Sequence, residues 1–251
     1  MTHARRRGLL PSALLAVLLV GACTGQSPDS EPVGPDTEAT VSLEDTDRAS
    51  VSAPSVQGCT PPPPLPATIP TFEAMQAPTA ASADSLTATV QTSCGNIEIE
   101  LDGRAAPVTV ASFEFLSAEG FWEDSPCHRL TTEGIHVLQC GDPTGTGRGG
   151  PGYTFGIENE PPDGQYPRGT LAMARTQDPD SNGGQFFIVH QDSEIPVELG
   201  GYTIFGRVTG GMDIIDRIAA QGVDGGGADG MPAQPISILG VEVNEERATD
   251  S

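Results

Sequence analysis

The hardest constraint on this chain is a period of two. Leu86, Ala88 and Val90 alternate with polar residues as far as Thr92, and Ile97, Ile99 and Leu101 alternate with Glu98, Glu100 and Asp102. Successive strand side chains point to opposite faces, so the two runs form a hairpin with one buried face, turned at Cys94-Gly95-Asn96. Glycine (31) and proline (23) punctuate the 251 residues too often for a helical bundle. Two helices are nevertheless expected. Pro107 to Ala118 carries Val108, Ala111, Phe113, Phe115 and Leu116, with proline in the first turn and Gly120 past the end. Met212 to Ala219 shows apolar i, i+3, i+4 spacing before Gly222, and Ile236 to Val243 reads as a closing strand. Many short strands with two isolated helices imply a mainly β barrel or sandwich capped by helices.

The residues before Ser85 are a different material. Arg5-Arg6-Arg7, an apolar stretch from Leu9 to Val20, and Val20-Gly21-Ala22-Cys23 resemble a bacterial lipoprotein signal over residues 1–22. The resemblance implies lipidation of Cys23. The chain would then be exported and held by acyl chains on the outer face of the cytoplasmic membrane. The apolar stretch falls short of the ~20 residues that span a bilayer. Residues 23–85 are rich in proline and acid, with Pro61-Pro62-Pro63-Pro64 and no sustained apolar period. Such a segment buries little surface and reads as a disordered, semi-rigid tether. The folded unit is expected over 86–244, with a disordered tail at 245–251.

Five ordered segments resemble the cyclophilin family of peptidyl-prolyl isomerases. They are Cys127-His128-Arg129-Leu130, then Val137-Leu138-Gln139-Cys140-Gly141-Asp142, then the glycine-rich stretch from Gly145 to Gly150. Gly169 to Ala174 followed by Asn182-Gly183-Gly184-Gln185-Phe186-Phe187-Ile188 is the most specific, and Phe205-Gly206-Arg207-Val208 with Gly210-Gly211-Met212 closes the set. The resemblance implies a closed eight-stranded antiparallel β-barrel capped by two α-helices. Its active surface would lie on the outside, because side chains fill the lumen of so small a barrel.

The implied chemistry needs neither nucleophile, metal nor cofactor. Resonance sets a barrier of about 18–20 kcal/mol to peptide rotation, and spontaneous X-Pro isomerisation is slow. An apolar notch can hold the proline ring while a fixed cation stabilises the prolyl nitrogen as resonance is lost. By the resemblance, Arg129 is the catalytic cation and Gln139 its orienting partner. Phe187 is the pocket floor, while Phe186, its neighbour on a strand, faces the core. Ala174 contacts substrate backbone. His136 falls where the family usually has a pocket phenylalanine, Val137 where it often has methionine, and Tyr202 where many members have histidine. Two extra residues separate Arg129 from Gln139. Leu199 or Ile195 supplies the leucine of the family's tryptophan-leucine pair, and Trp122 reads as structural.

Setting Cys23 aside, Cys59, Cys94, Cys127 and Cys140 allow three pairings. Cys127 and Cys140 sit near the ends of the strands flanking the Arg129–Gln139 turn, which favours Cys127–Cys140 and leaves Cys59–Cys94. A metal site lacks paired C-x₂-C spacing. All twelve cations are arginine against 34 acidic residues, a formal charge of −22. That balance argues against nucleic acid as a partner. Proline-containing polypeptides are the expected partners and a monomer the expected state. Two readings follow: an isomerase of exported chains, or a proline-peptide binding module at the cell surface with little turnover.

Overall fold

A computed structural model describes residues 58–73 and 80–245. Cys23, the expected signal and the first part of the expected tether lie outside the described residues. Among the described residues twelve strands and two α-helices follow one another. Ser85–Thr92 (β1) and Gly95–Asp102 (β2) form the opening hairpin, followed by the helix Pro107–Ala118 (α1). Then come Ser125–Pro126 (β3), Arg129–Thr131 (β4), Val137–Cys140 (β5), Gln165–Tyr166 (β6), Thr170–Met173 (β7), Phe186–Val189 (β8) and Ser193–Glu194 (β9). Ile204–Gly210 (β10), Met212–Gln221 (α2), Asp229–Gly230 (β11) and Ser237–Glu245 (β12) complete the order.

Ten strands pair antiparallel in the order β11-β4-β5-β8-β7-β10-β2-β1-β12-β3, and β6 pairs with β9 apart from them. The expected eight-stranded closed barrel is therefore replaced by a ten-stranded open ladder. Its end strand β3 runs into β4, near the other end, through Cys127 and His128 alone. Consecutive amides there serve both ends: Cys127 N–H donates to Ile236 O and His128 N–H to Gln139 O. A sheet whose end strand is so joined to the strand next to its other end has to curl.

Alternation then sorts the side chains. Leu130, Leu138, Ile188 and Leu171 are register neighbours across β4, β5, β8 and β7, and all belong to the main core. The residues between them face the other way. Ile214, Ile215 and Ile218 of α2 and Val110, Phe113 and Leu116 of α1 close over the core. Trp122 is buried and its indole N–H donates to Gly184 O at 2.9 Å, a structural role. Helix α1 has no side-chain cap of its own. Glu158, from a distant loop, accepts from the amides of Val108 and Thr109 instead, so an anion meets the positive end of the helix.

The tether, expected over 23–85 and tied to the first hairpin by Cys59–Cys94, is in contact with the domain over 58–73. Cys59 is bonded to Cys94, and Thr60 N–H donates to Ser93 O. Phe72 N–H donates to Pro151 O, and the Phe72 ring meets Phe115 edge-on at 4.8 Å. The approach needs Gly152: its φ is +96°, and an added Cβ would stand 2.6 Å from Phe72 O. Ile69 and Phe72 pack against the core. The absence of apolar periodicity hid the contacts beyond Cys59, because two anchors do not make a period. At the other end, Glu245, assigned to the tail, is the last residue of β12.

The Cys59–Cys94 bond closes a loop with a sequence separation of 35, and chain-entropy reasoning puts bonds of that span at about 2–4 kcal/mol. Replacing both cysteines by alanine is expected to lower unfolding free energy by that amount. Urea denaturation, with the m-value fitted separately for each protein because the freed unfolded chain is more open, checks it.

Candidate active site

The face opposite the core carries a row of register partners. Arg129 pairs in register with Gln139, Gln139 with Phe187, and Phe187 with Ala172. Directly opposed residues share a face, so the four project together. Around Phe187 a second apolar cluster forms from Val137, Tyr166, Ala172, Val189 and Ile195, with Ile135, Ala174, Tyr202 and Ile204 packed on it. Phe186 meanwhile lies in the main core. A cavity of about 440 Å³ opens over this cluster and is bordered by Arg129, Gln139, Phe187 and Asp229. An adjoining hollow of about 360 Å³ shares Gln139 and Ala174 and is walled by Gly149, Pro151 and Tyr153.

Phe187 is a floor with aromatic sides. Tyr202 stands edge-on to it at 5.6 Å, and Tyr166 lies tilted against it at 6.4 Å. Tyr202 is held by its own backbone: its N–H donates to Tyr166 Oη at 2.8 Å. The Arg175 guanidinium carbon lies 4.8 Å from the Tyr202 ring centre, a cation–π contact that leaves the ring little freedom. Ala174 is fixed by its N–H bond to Gln185 O.

A chain of polar groups crosses the opposite wall. Asp229 accepts from Arg129 Nε at 2.8 Å and from Nη2 at 2.7 Å. Arg129 Nη1 reaches Gln139 Oε1 at a long 3.4 Å. Gln139 Nε2 donates to Gln185 Oε1 at 3.0 Å, and Gln185 Nε2 donates to Gly149 O at 2.8 Å. The Arg129–Asp229 pair is not an interior one, since its side chains are 39% and 55% exposed. Asp229 holds the guanidinium above its ordinary pKa, and Arg129 holds the Asp229 carboxyl below the usual carboxylate range. Both groups stay ionised across neutral pH. The glycine-rich loop is fastened from beneath by Asp142, which accepts from the amides of Thr144, Arg148 and Gly149.

Of the residues expected at the site, Arg129, Gln139, Val137, Ala174, Phe187 and Tyr202 border this one cavity. His136 does not. Its ring meets His190 at 5.5 Å, and Ile135 takes the place at the cavity. The reason is the same alternation: Val137 faces the cavity, so Ile135 does and His136 cannot. Counting back from Gln139 through the two extra residues misplaced it by one. Leu199 lies in a one-turn 3-10 helix, Val197–Leu199, and its side chain is outside the described residues, while Ile195 borders the cavity. Cys127 and Cys140 are joined to each other and buried, which consumes both thiols that a metal site with His128 would need. Sequence reasoning missed Ile135 and Tyr166, which strand period and an aromatic beside Pro167 hint at. It also missed Gln185 and Asp229, for which only the fold gives a signal.

The sequence model of the family described as cyclophilin type peptidyl-prolyl cis-trans isomerase/CLD matches residues 87–243. The chain belongs to the cyclophilin family. It is 45% identical over 163 residues to the probable peptidyl-prolyl cis-trans isomerase B of Mycobacterium tuberculosis, a match covering 60% of this chain and 52% of the relative. It is 45% identical over 123 residues to peptidyl-prolyl cis-trans isomerase B of Bacillus subtilis, covering 49% of this chain and 82% of that one. The chain thus spans about half the length of the mycobacterial relative. A crystal structure of a Cryptosporidium parvum cyclophilin type isomerase superposes with a TM-score of 0.55 at 30% identity, covering 64% of this chain and 99% of that one. The same Cryptosporidium protein was also solved in the presence of the dipeptide Ala-Pro, and that structure matches at 31% identity with a TM-score of 0.54.

His128 ties this cyclophilin's site to pH. Gln139 Nε2 lies 3.3 Å from His128 Nε2, a contact that the neutral ring accepts and a protonated ring opposes. Burial lowers the His128 pKa below its ordinary value, against the pull of Asp142. Between the folded value and the ordinary ~6.5, the unfolded chain binds more protons. Stability therefore falls as pH drops below about 6.5, and thermal melts at pH 7.5 and 5 are expected to show the fall, reduced in His128→Gln. A second outcome follows from the two faces. Phe186→Ala is expected to cost about 3–5 kcal/mol of stability, and Phe187→Ala less, measured by urea denaturation of both.

Proposed function

We propose that this protein is a peptidyl-prolyl cis-trans isomerase acting on exported polypeptides. The observation that carries the reading is the Arg129–Gln139–Phe187 row. It places a permanently charged guanidinium and an apolar ring floor on opposite walls of one cavity. The proline ring sits on Phe187 among Ile135, Val137, Ile195 and Tyr202. The Ala174 backbone steadies the extended chain beside it. Arg129 Nη1 faces the prolyl nitrogen, whose lone pair becomes available only as the amide twists out of resonance. That contact is stronger in the transition state than in the ground state, which is the condition for acceleration. Gln139 shares the same nitrogen of Arg129 and limits where it points. No bond breaks, and ring and carbonyl need only rotate past each other.

The remaining features belong to the same reading. Lipidation of Cys23 would hold the protein on the outer face of the cytoplasmic membrane, with residues up to about 57 as the tether. The acidic domain acts as a monomer and favours neutral or basic clients through like-charge exclusion. The curl that joins β3 to β4 supports treating the ladder as a barrel whose seam lies at Cys127-His128. A proline-peptide binding module with little turnover is the second reading. It draws on the grip of Asp229, which occupies two of the three guanidinium nitrogens of Arg129.

Exchange NMR on an Ala-Pro peptide separates the two. The isomerase is expected to raise the exchange rate well above the spontaneous one, with Arg129→Ala losing roughly 10²–10³-fold in kcat/KM, the size seen for removing one preorganised donor. Peptide binding with no acceleration by the wild type would instead establish the binding module.

A further inference from the structure

Asp229 stands on β11, just beyond Gly225-Gly226-Gly227. The strand is only two residues long and lies at the edge of the ladder. It is laid against β4 by the pairs Asp229 with Thr131 and Gly230 with Leu130, and Thr132 N–H donates to Ala228 O. Arg129 therefore lies between two strands that each send one polar side chain to it. From β11, Asp229 takes Nε and Nη2 at 2.8 and 2.7 Å. From β5, Gln139 meets Nη1 at 3.4 Å.

We propose that Asp229 is the positioning residue for Arg129, holding the guanidinium by one edge so that Nη1 is presented to the cavity. The inference rests on the isomerase reading. Two parallel bonds to a planar group fix its rotation, which one bond cannot do. With Nε and Nη2 held, the remaining nitrogen has one direction left, toward Gln139 and the cavity. Gln139 alone would not achieve this, because its contact is longer and falls on the nitrogen that must stay available. Among the described residues four other arginine–carboxylate pairs occur, between Arg104 and Asp84, Arg168 and Asp216, Arg207 and Glu100, and Arg217 and Asp213. None of these has both partners on the cavity over Phe187. The carboxylate also offsets part of the arginine's charge, so its removal has two opposed effects. The inference is that orientation outweighs field.

The test uses Asp229→Asn, Asp229→Ala and Asp229→Glu in the full chain, with an Ala-Pro peptide as probe. Asparagine and alanine are expected to lower kcat by about tenfold, with KM within twofold, since misplacing a reacting group is a loss in the transition state. Glutamate, which keeps the fork, is expected to restore most of it. The Arg129 Nε–H resonance, assigned by its loss in Arg129→Lys, should exchange slowly in the wild type and rapidly in Asp229→Ala. If alanine perturbs folding, Asp229→Asn, nearly equal in shape, decides. An active wild type whose kcat is unchanged or raised by Asp229→Asn overturns the inference alone. A wild type without turnover overturns the isomerase reading and this inference with it.

Discussion

Alternation across β4, β5, β8 and β7 couples the interior of this protein to its working surface. Leu130, Leu138, Ile188 and Leu171 fill the core, and the residues next to them, Arg129, Gln139, Phe187 and Ala172, form the row beneath the cavity. Neither set can move without the other. A slip of one residue in β5 would send Gln139 inward and Leu138 to solvent, so the buried leucines hold the register of the polar row. The Cys127–Cys140 bond acts on the same strands from the core side, since Cys140 adjoins Gln139 and both sulfurs are buried. Positioning at the cavity is in this sense a by-product of packing: the elements that exclude water on one face aim the guanidinium on the other.

The cavity is also an electrostatic exception. The chain carries 34 acidic residues against 12 arginines, yet Arg129 and Arg175 both border the cavity over Phe187, against one carboxylate there, Asp229. Their surroundings keep the local charges apart in function. Arg175 is spent on Tyr202 and on the carbonyls of Thr176 and Gly201, which fixes a wall. Arg129 is held through Nε and Nη2 by Asp229, with Nη1 against Gln139. A buried, neutral His128 beneath Gln139 avoids adding a third cation, which would repel Arg129 and displace the amide. The low pKa of His128 thus serves the geometry of Gln139.

Much of this was legible in the sequence, and the reasons differ by element. The first hairpin and both helices were readable because each is local: alternation, a proline at the first turn and a terminal glycine suffice, and α1 is found at the expected Pro107–Ala118. The facing of Phe186 and Phe187 was readable for the same reason. The two-residue strands β3, β6, β9 and β11 were not, because nothing in two residues has a period. His136 was misplaced because the count ran along a resemblance and not along the strand. Val137 and Gln139 set the parity, and parity puts Ile135 at the cavity. Asp229 was out of reach altogether, since its partner is Arg129 and their separation of 100 residues leaves no local trace.

The segment before β1 shows how composition can mislead about order. Fixing a residue's backbone costs about 1–2 kcal/mol, and the partly buried Ile69 and Phe72 cannot offset that over a dozen residues at ~1.5–3 kcal/mol each. Two features change the balance. Pro61 to Pro64, Pro66 and Pro70 have few unfolded conformations to lose, and the Cys59–Cys94 bond removes much of the remaining freedom. The same prolines that mark a solvated tether therefore lower the cost of laying it down. Where it is laid down matters: Phe72 bonds to Pro151 and rests against Gly152, in the loop whose Gly149 carbonyl ends the polar chain from Asp229 through Arg129, Gln139 and Gln185. One end of that chain is held by an edge strand and the other by a loop that the N-terminal segment fastens. The residues that looked like a leash between anchor and domain are thus part of what keeps the cavity's polar wall in place.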